Sequence, residues 1–366
     1  MRLLVTGGGT GGHVYPLVAV LEQLAAPTIT RQTHEVLYLG RDASVEQRIA
    51  ANLNIPFVGM RVGGVRGKTF ATQAQNSARL LQASTLAARE VERFKPDVAL
   101  ATGGYVSAPV IWAAWRKKIP VVIELPDLEP GWAIRATWRF SRQVAVSFEQ
   151  VLEFFPRGRA TVTGYPVRQA FFQATRATGR AHFQLDMNFP VTTIFGGSQG
   201  AHALNESARA NLKALTAATQ TLHICGAHDR AALEAARAQL DAKAQARYRV
   251  FEYLDADMPL ALAAADVIVA RAGAATLGEF PAVGAPSILI PGMFAQRHQT
   301  KNAAFLAARG AAMILAEEKL ETDFAPTLLS LLNDPARLET MRRAARTLAR
   351  PDAAQRIVQL LQEARA

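Results

Sequence analysis

A single cysteine, Cys225, stands among the 366 residues, so no disulfide forms within the chain. It lies in the apolar run Thr221-Leu222-His223-Ile224-Cys225. That setting reads as a small core residue rather than a catalytic thiol. Long apolar runs are lacking as well. The uncharged stretch 98–115 carries Gly103, Gly104 and Pro109. It is marginal for a membrane span and reads as strand, glycine loop and helix start. Met1 leads directly into an apolar strand pattern, without the basic region and apolar run of a secretory signal. A soluble or peripheral cytoplasmic protein is expected on that ground. The net charge is +11, but no basic run carries interleaved aromatics, so nucleic acid is not the expected partner. The basic excess leans toward the N-terminal half. It fits an anionic membrane surface or phosphate-bearing substrates.

Two glycine-rich loops dominate what is present. The first follows Leu3-Leu4-Val5-Thr6 and reads Gly7-Gly8-Gly9-Thr10-Gly11-Gly12-His13. The second follows Thr193-Ile194-Phe195 and reads Gly196-Gly197-Ser198-Gln199-Gly200-Ala201. Each apolar run is short and β-rich, as a buried parallel strand should be. Each loop opens into a helix-compatible stretch whose backbone N–H groups can face an anion. The expected fold class is α/β, with two Rossmann-like domains facing a cleft.

Strands are expected at 3–6, 36–39, 98–102, 121–125, 143–147 and 161–163, with helices at 14–25, 44–51 and 73–94. The pattern restarts with strands at 191–195, 221–225, 248–251, 267–270, 287–290 and 312–315. Helices are expected at 204–215, 229–239, 258–264, 276–283 and 302–309. Alternation of this kind argues for parallel sheets covered on both faces. The tail 324–366 reads as helix, broken at Pro351, since proline lacks the N–H a helix interior needs. Gly164-Tyr165-Pro166-Val167-Arg168 reads as the junction. The expected domains are 1–164, with a C-terminal helix about 350–366 packing back on it, and 165–349.

The first loop satisfies G-x-G-x-x-G after a strand, a dinucleotide fingerprint. That reading also wants an acid about twenty residues on, at the end of the second strand. Asp42 comes too late and follows Arg41, which weakens the dinucleotide reading. His13 sits at the start of the helix. It is either a polar cap residue or a group that contacts or deprotonates an attacking hydroxyl, a task that suits imidazole. No His/Cys/Asp cluster shows metal-ligand spacing, so no tightly held metal is expected.

Eight segments in order resemble the MurG family of glycosyltransferases. They are 10–16 (TGGHVYP), 64–68 (GVRGK), 95–98 (KPDV), 103–109 (GGYVSAP), 164–168 (GYPVR), 196–201 (GGSQGA), 271–276 (RAGAAT) with Glu279, and 298–303 (HQTKNA). The resemblance implies a GT-B fold and transfer of N-acetylglucosamine from UDP-GlcNAc to an undecaprenyl-linked muramyl-pentapeptide. It implies no tightly bound cofactor, and a place on the inner face of the cytoplasmic membrane.

By the same resemblance, His13 is the catalytic candidate. Donor contacts are implied for Thr10, Gly11, Gly12, Arg168, Ser198, Gln199, Leu254, Arg271, Ala274, Ala275, Thr276, Glu279, Gln299 and Asn302. Ser198 and its loop would lie on the diphosphate, Glu279 on the ribose, Leu254 on the uracil, and Gln299 with Asn302 on the sugar. Acceptor contacts are implied for Gly8, Gly9, Gly103, Gly104, Tyr105 and Asp127. Glu279 also reads as a solvated helix carboxylate, and Arg271 as a structural ion-pair member.

The chain departs from that family at two places. Glu124-Leu125-Pro126-Asp127 stands where the family has His-Glu-Gln-Asn, a cleft-lining segment. The segment 69–76, TFATQAQN, is polar where the family carries an apolar, basic patch, so membrane binding would rest on charge. The open alternatives are a GT-B transferase with another lipid or natural-product acceptor, a nucleotide-sugar 2-epimerase, and a non-catalytic UDP-sugar-binding paralogue.

Overall fold

The structure is a computed structural model that describes residues 1–8, 11–26, 34–63, 70–197, 200–292 and 296–366. It divides into two compact units, residues 1–168 with 350–366 and residues 169–349.

The first unit holds a parallel sheet of seven strands. They are β1 (Arg2–Thr6), β2 (Glu35–Arg41), β3 (Phe57–Met60), β4 (Val98–Ala101), β5 (Val121–Leu125), β6 (Gln143–Val146) and β7 (Ala160–Val162), in the order β3-β2-β1-β4-β5-β6-β7. β3 was not among the expected strands. It is four residues long, contains Gly59 and follows Pro56, so its local signal is weak. Side chains alternate between two cores, as a strand's period of two requires. Leu3, Val5, Leu100 and Val122 pack on one face against Leu17, Val20, Ile357 and Leu361. Leu4, Ala99 and Ile123 pack on the other against Val110 and Ile111. The C-terminal helix Ala353–Arg365 therefore belongs to the core of this unit.

The second unit holds six parallel strands. They are β8 (Val191–Phe195), β9 (Gln220–Ile224), β10 (Tyr248–Phe251), β11 (Val267–Ala270), β12 (Ser287–Leu289) and β13 (Ala312–Ile314), ordered β10-β9-β8-β11-β12-β13. The helix expected at 204–215 is two helices, His202–Ala210 and Leu212–Ala218, interrupted at Asn211. The stretch 276–283 divides likewise into a 3-10 turn, Ala274–Leu277, and a short helix, Glu279–Val283. The tail breaks before Pro335 as well as near Pro351, giving Leu320–Leu332, Pro335–Thr347 and Ala353–Arg365. Asp334 caps the middle helix, its carboxylate accepting from the Arg337 N–H at 2.9 Å.

Both sheets reverse strand order once, between β1 and β4 and between β8 and β11. Ligands of open parallel sheets bind at such switch points, beyond the carboxyl ends of the strands. The loops 7–12 and 103–105 follow β1 and β4, and the loops 196–201 and 271–276 follow β8 and β11.

Candidate functional site

In the first unit, the glycine loops after β1 and β4 touch backbone to backbone. Gly104 has φ +80°, and a Cβ there would lie 2.4 Å from the Gly8 carbonyl oxygen. Gly103 has φ +92°, a region that side chains disfavour. Tyr38 ties the first loop from below, its hydroxyl donating to the Gly7 carbonyl at 2.8 Å. Tyr165 reaches the Gly12 carbonyl at 3.4 Å. Tyr105 is exposed at the edge of the second loop. Gly9 and Thr10 lie outside the described residues, as does the segment 64–69.

Helix Gly11–Ala25 presents His13 beside these loops. Its Nδ1 lies 2.7 Å from the Thr102 carbonyl oxygen, to which it donates. The Thr102 hydroxyl donates back to the His13 carbonyl. Donation from Nδ1 leaves the neutral ring's lone pair on Nε2. Nε2 faces the Asp127 carboxylate at 4.0 Å. An imidazole oriented by a carbonyl, with an acid beside its basic nitrogen, is built to receive a proton.

Glu124 is the feature that sequence reading did not weigh correctly. It is 1% exposed, and neither carboxylate oxygen has a hydrogen-bond partner. It shares a sheet face with Val122 and its strand partner Ala145, on the side covered by helices Gly11–Ala25 and Ala353–Arg365. Burial, with the nearby Asp127 charge adding to it, pushes its carboxyl well above the ordinary carboxylate range. The acid at 124, where the resemblance implies a histidine, is thus a buried carboxyl whose pKa is raised. Glu46 is a second buried acid that the motifs did not flag. A Cβ on Gly8 would lie 2.2 Å from its Oε1.

Arg168 belongs to this unit, with its guanidinium 4.7 Å from the Tyr15 ring centre. Gly11 sits beside the same ring, where a Cβ would come within 3.3 Å.

In the second unit, Asn302 is 1% exposed. Its Nδ2 donates to the Ala272 carbonyl at 3.1 Å, while its buried Oδ1 has no partner. Gln299 accepts from the Gly292 N–H at 2.9 Å, which ties the helix Gln296–Ala307 to the end of β12. Thr276 closes the loop after β11, its hydroxyl donating to the Gly273 carbonyl at 2.7 Å. Ala274 and Ala275 form the 3-10 turn between them. Glu279 begins the next helix and is buried, 7% exposed, so it is not a solvated carboxylate. Leu254 packs, half-buried, with Phe251 and Leu260 on the core around Leu222. Arg271 donates to the Ile290 carbonyl at 3.3 Å and to the Glu317 carboxylate, and both charged groups are largely buried. The ion-pair reading of Arg271 is the one its geometry fits. Ser198 and Gln199 lie outside the described residues.

Among the described residues, one group of three offers metal-ligating atoms, His202, His228 and Asp229. No spacing rule reveals it, because the fold brings together the helix start at His202 and the turn at 228–229.

Residues 3–146 match the glycosyltransferase family 28 N-terminal domain, and residues 191–357 match its C-terminal domain. Two curated relatives carry the name UDP-N-acetylglucosamine–N-acetylmuramyl-(pentapeptide) pyrophosphoryl-undecaprenol N-acetylglucosamine transferase. The one from Lactiplantibacillus plantarum is 36% identical, covering 99% of both chains. The one from Roseiflexus is 35% identical, over 99% of this chain and 94% of the relative. The crystal structure of Acinetobacter baumannii MurG superposes with a TM-score of 0.75, at 30% identity and 99% coverage of both chains. A UDP-GlcNAc 2-epimerase from Neisseria meningitidis reaches a TM-score of 0.70 at 15% identity, a likeness of fold alone. With both family 28 domains in order and full-length relatives above 30% identity, this chain belongs to the MurG family of glycosyltransferases, with the GT-B fold.

Proposed function

We propose that this protein moves N-acetylglucosamine from UDP-GlcNAc to the muramyl-pentapeptide carried on undecaprenyl diphosphate, the lipid I to lipid II step. The observation that carries this reading is the 36% identity over 99% of both chains to a transferase of that name. The acceptor hydroxyl attacks the anomeric carbon, the configuration inverts, and UDP leaves. His13 takes the hydroxyl proton on Nε2, while the Thr102 carbonyl fixes the ring through Nδ1. Asp127, 4.0 Å from Nε2, stabilises the imidazolium that forms.

The donor reading assigns the UDP diphosphate to the backbone of the loop 196–200, including Ser198 and Gln199. Glu279 accepts from the ribose hydroxyls, Leu254 meets the uracil, and Asn302 with Gln299 reads the sugar. Ala274, Ala275 and Thr276 are assigned to the donor by the same resemblance. Thr10, Gly11, Gly12 and Arg168 complete the donor set by family resemblance, and Arg271 supports it through its ion pair. The acceptor diphosphate is assigned to N–H groups at Gly8, Gly9, Gly103, Gly104 and Tyr105, where glycine lets the backbone approach an anion. The reaction uses UDP-GlcNAc as substrate and calls for no cofactor.

A place on the cytoplasmic face of the membrane accompanies this reading. Among the described residues, no helix is long and apolar enough to cross a membrane. Trp112 and Trp115 are exposed on helix Ser107–Arg116, and Leu81 on the long helix Phe70–Phe94. Arg116, Lys117 and Lys118 follow directly. Interfacial tryptophans beside cations suit an anionic leaflet, so apolar anchors join charge in this surface. The expected polar patch at 69–76 lies largely outside the described residues.

The function is tested with radiolabelled UDP-GlcNAc and purified lipid-linked acceptor. Label entering the lipid fraction supports the reading. Donor binding without transfer would favour a UDP-sugar-binding paralogue, and transfer only to another acceptor would favour a different GT-B transferase.

A further inference from the structure

The second unit gathers side chains that the transfer reading leaves unused. His202 opens the helix His202–Ala210. His228 and Asp229 lie between β9 and the helix Arg230–Ala238. Since β8 and β9 pair in parallel, the segments that follow them emerge side by side at the carboxyl edge of the sheet. Nδ1 of His202 and Nδ1 of His228 each lie 2.8 Å from one oxygen, Oδ1 of Asp229. The three ligand atoms fall within 4.8 Å of one another.

We propose that His202, His228 and Asp229 form a binding site for a divalent cation of the zinc class. Two imidazole nitrogens and one carboxylate oxygen suit Zn²⁺, Co²⁺ or Ni²⁺. Metal–ligand bonds of about 2.0–2.2 Å put tetrahedral ligand atoms about 3.3 Å apart. Each imidazole therefore has to withdraw by about half an ångström to admit the ion. Both rings are on the surface, 67% and 84% exposed, and nothing in the core resists that movement.

The carboxylate, by contrast, is held. Asn205, fully buried, donates from Nδ2 to Asp229 Oδ2 at 2.6 Å. Its Oδ1 accepts from Nε2 of buried His223 at 3.0 Å. His223 in turn accepts from the Tyr248 hydroxyl. Ordering of the far oxygen by an outer shell of this kind is what metal-binding carboxylates use. Asp229 stands at the N-cap of helix Arg230–Ala238 but makes no cap bond. Its side chain turns to Asn205 and the two histidines instead. On binding, each neutral ring offers its Nδ1 lone pair and carries its proton on Nε2. Water completes the coordination.

The test uses the tag-free full-length chain, stripped with chelator. Zn²⁺ is titrated by calorimetry and Co²⁺ by visible absorption. The proposal expects one ion per chain, with H202A and H228A each weakening affinity at least about tenfold and removing the Co²⁺ band. His182, paired with Asp257 at 3.3 Å, is the control, and H182A should leave binding unchanged. No binding at micromolar ion, loss confined to one of the two histidine variants, or equal loss in H182A overturns the site. The readout is metal binding, so a failure here leaves the transfer reading untouched.

Discussion

His13 and Asp127 face each other across 4.0 Å, with Nε2 of the ring toward the carboxylate. The opposite ring nitrogen is committed to the Thr102 carbonyl at 2.7 Å. Orientation, tautomer and a stabilising charge thus come from three separate elements of one unit: a helix start, the residue after β4 and the loop after β5.

Replacing His13 by alanine removes the proposed base and should lower kcat by about 10²–10⁴-fold. Donor affinity should stay close to that of the parent, because the proposed donor residues that bind uracil, ribose and sugar belong to the second unit. Steady-state kinetics with calorimetric titration of UDP-GlcNAc separates the two effects. A lost donor affinity with an unchanged kcat would contradict the assignment.

Glu124 gives a pH dependence with a definite sign. Its folded-state pKa lies well above the ordinary carboxylate value, through burial first and Asp127 second. In the folded chain it holds a proton that the unfolded chain releases, so its contribution to stability falls as pH rises above the ordinary carboxylate range. Glutamine imitates the protonated form. E124Q should match the parent in urea unfolding near pH 4 and exceed it increasingly toward pH 8. A constant difference across that range would refute a protonated Glu124.

Asn302 offers a buried oxygen without a partner beside the loop after β11. Truncation to alanine should cost about 1–3 kcal/mol of UDP-GlcNAc binding, roughly 5- to 150-fold in Kd. Binding of UDP alone should change far less, since the oxygen is assigned to the sugar. Paired calorimetric titrations of the two ligands test this.

Arg271 and Glu317 form a largely buried pair. Removing the arginine alone leaves a buried carboxylate and should destabilise the second unit by about 3–5 kcal/mol. Replacing both by apolar residues should restore part of that loss. Thermal unfolding of R271A against R271A/E317L measures it. A double variant less stable than R271A by the full cost of a second lesion would argue against the pairing.

Much of this architecture was legible because the strands are short, apolar and regularly separated by glycine loops. The glycines after β1 and β8 mark the ends of the two central strands, and His13 is legible as a polar residue at a helix start. β3 escaped because four residues with an internal glycine after a proline carry too little pattern. Asn211 and Asp334 broke helices that periodicity alone had joined. The partnerless oxygens of Glu124 and Asn302 were illegible, since burial without a partner is a property of the packed fold. His202 meets His228 and Asp229 only because β8 and β9 are neighbours in the sheet.

The most direct test of the account is transfer itself. Full-length protein is incubated with UDP-[¹⁴C]GlcNAc and lipid-linked muramyl-pentapeptide, and the lipid fraction is counted for parent and H13A. The account predicts β-linked label in the lipid for the parent, and a loss of about a hundredfold or more for H13A. Unlabelled lipid with the parent, or equal labelling by both, would contradict it.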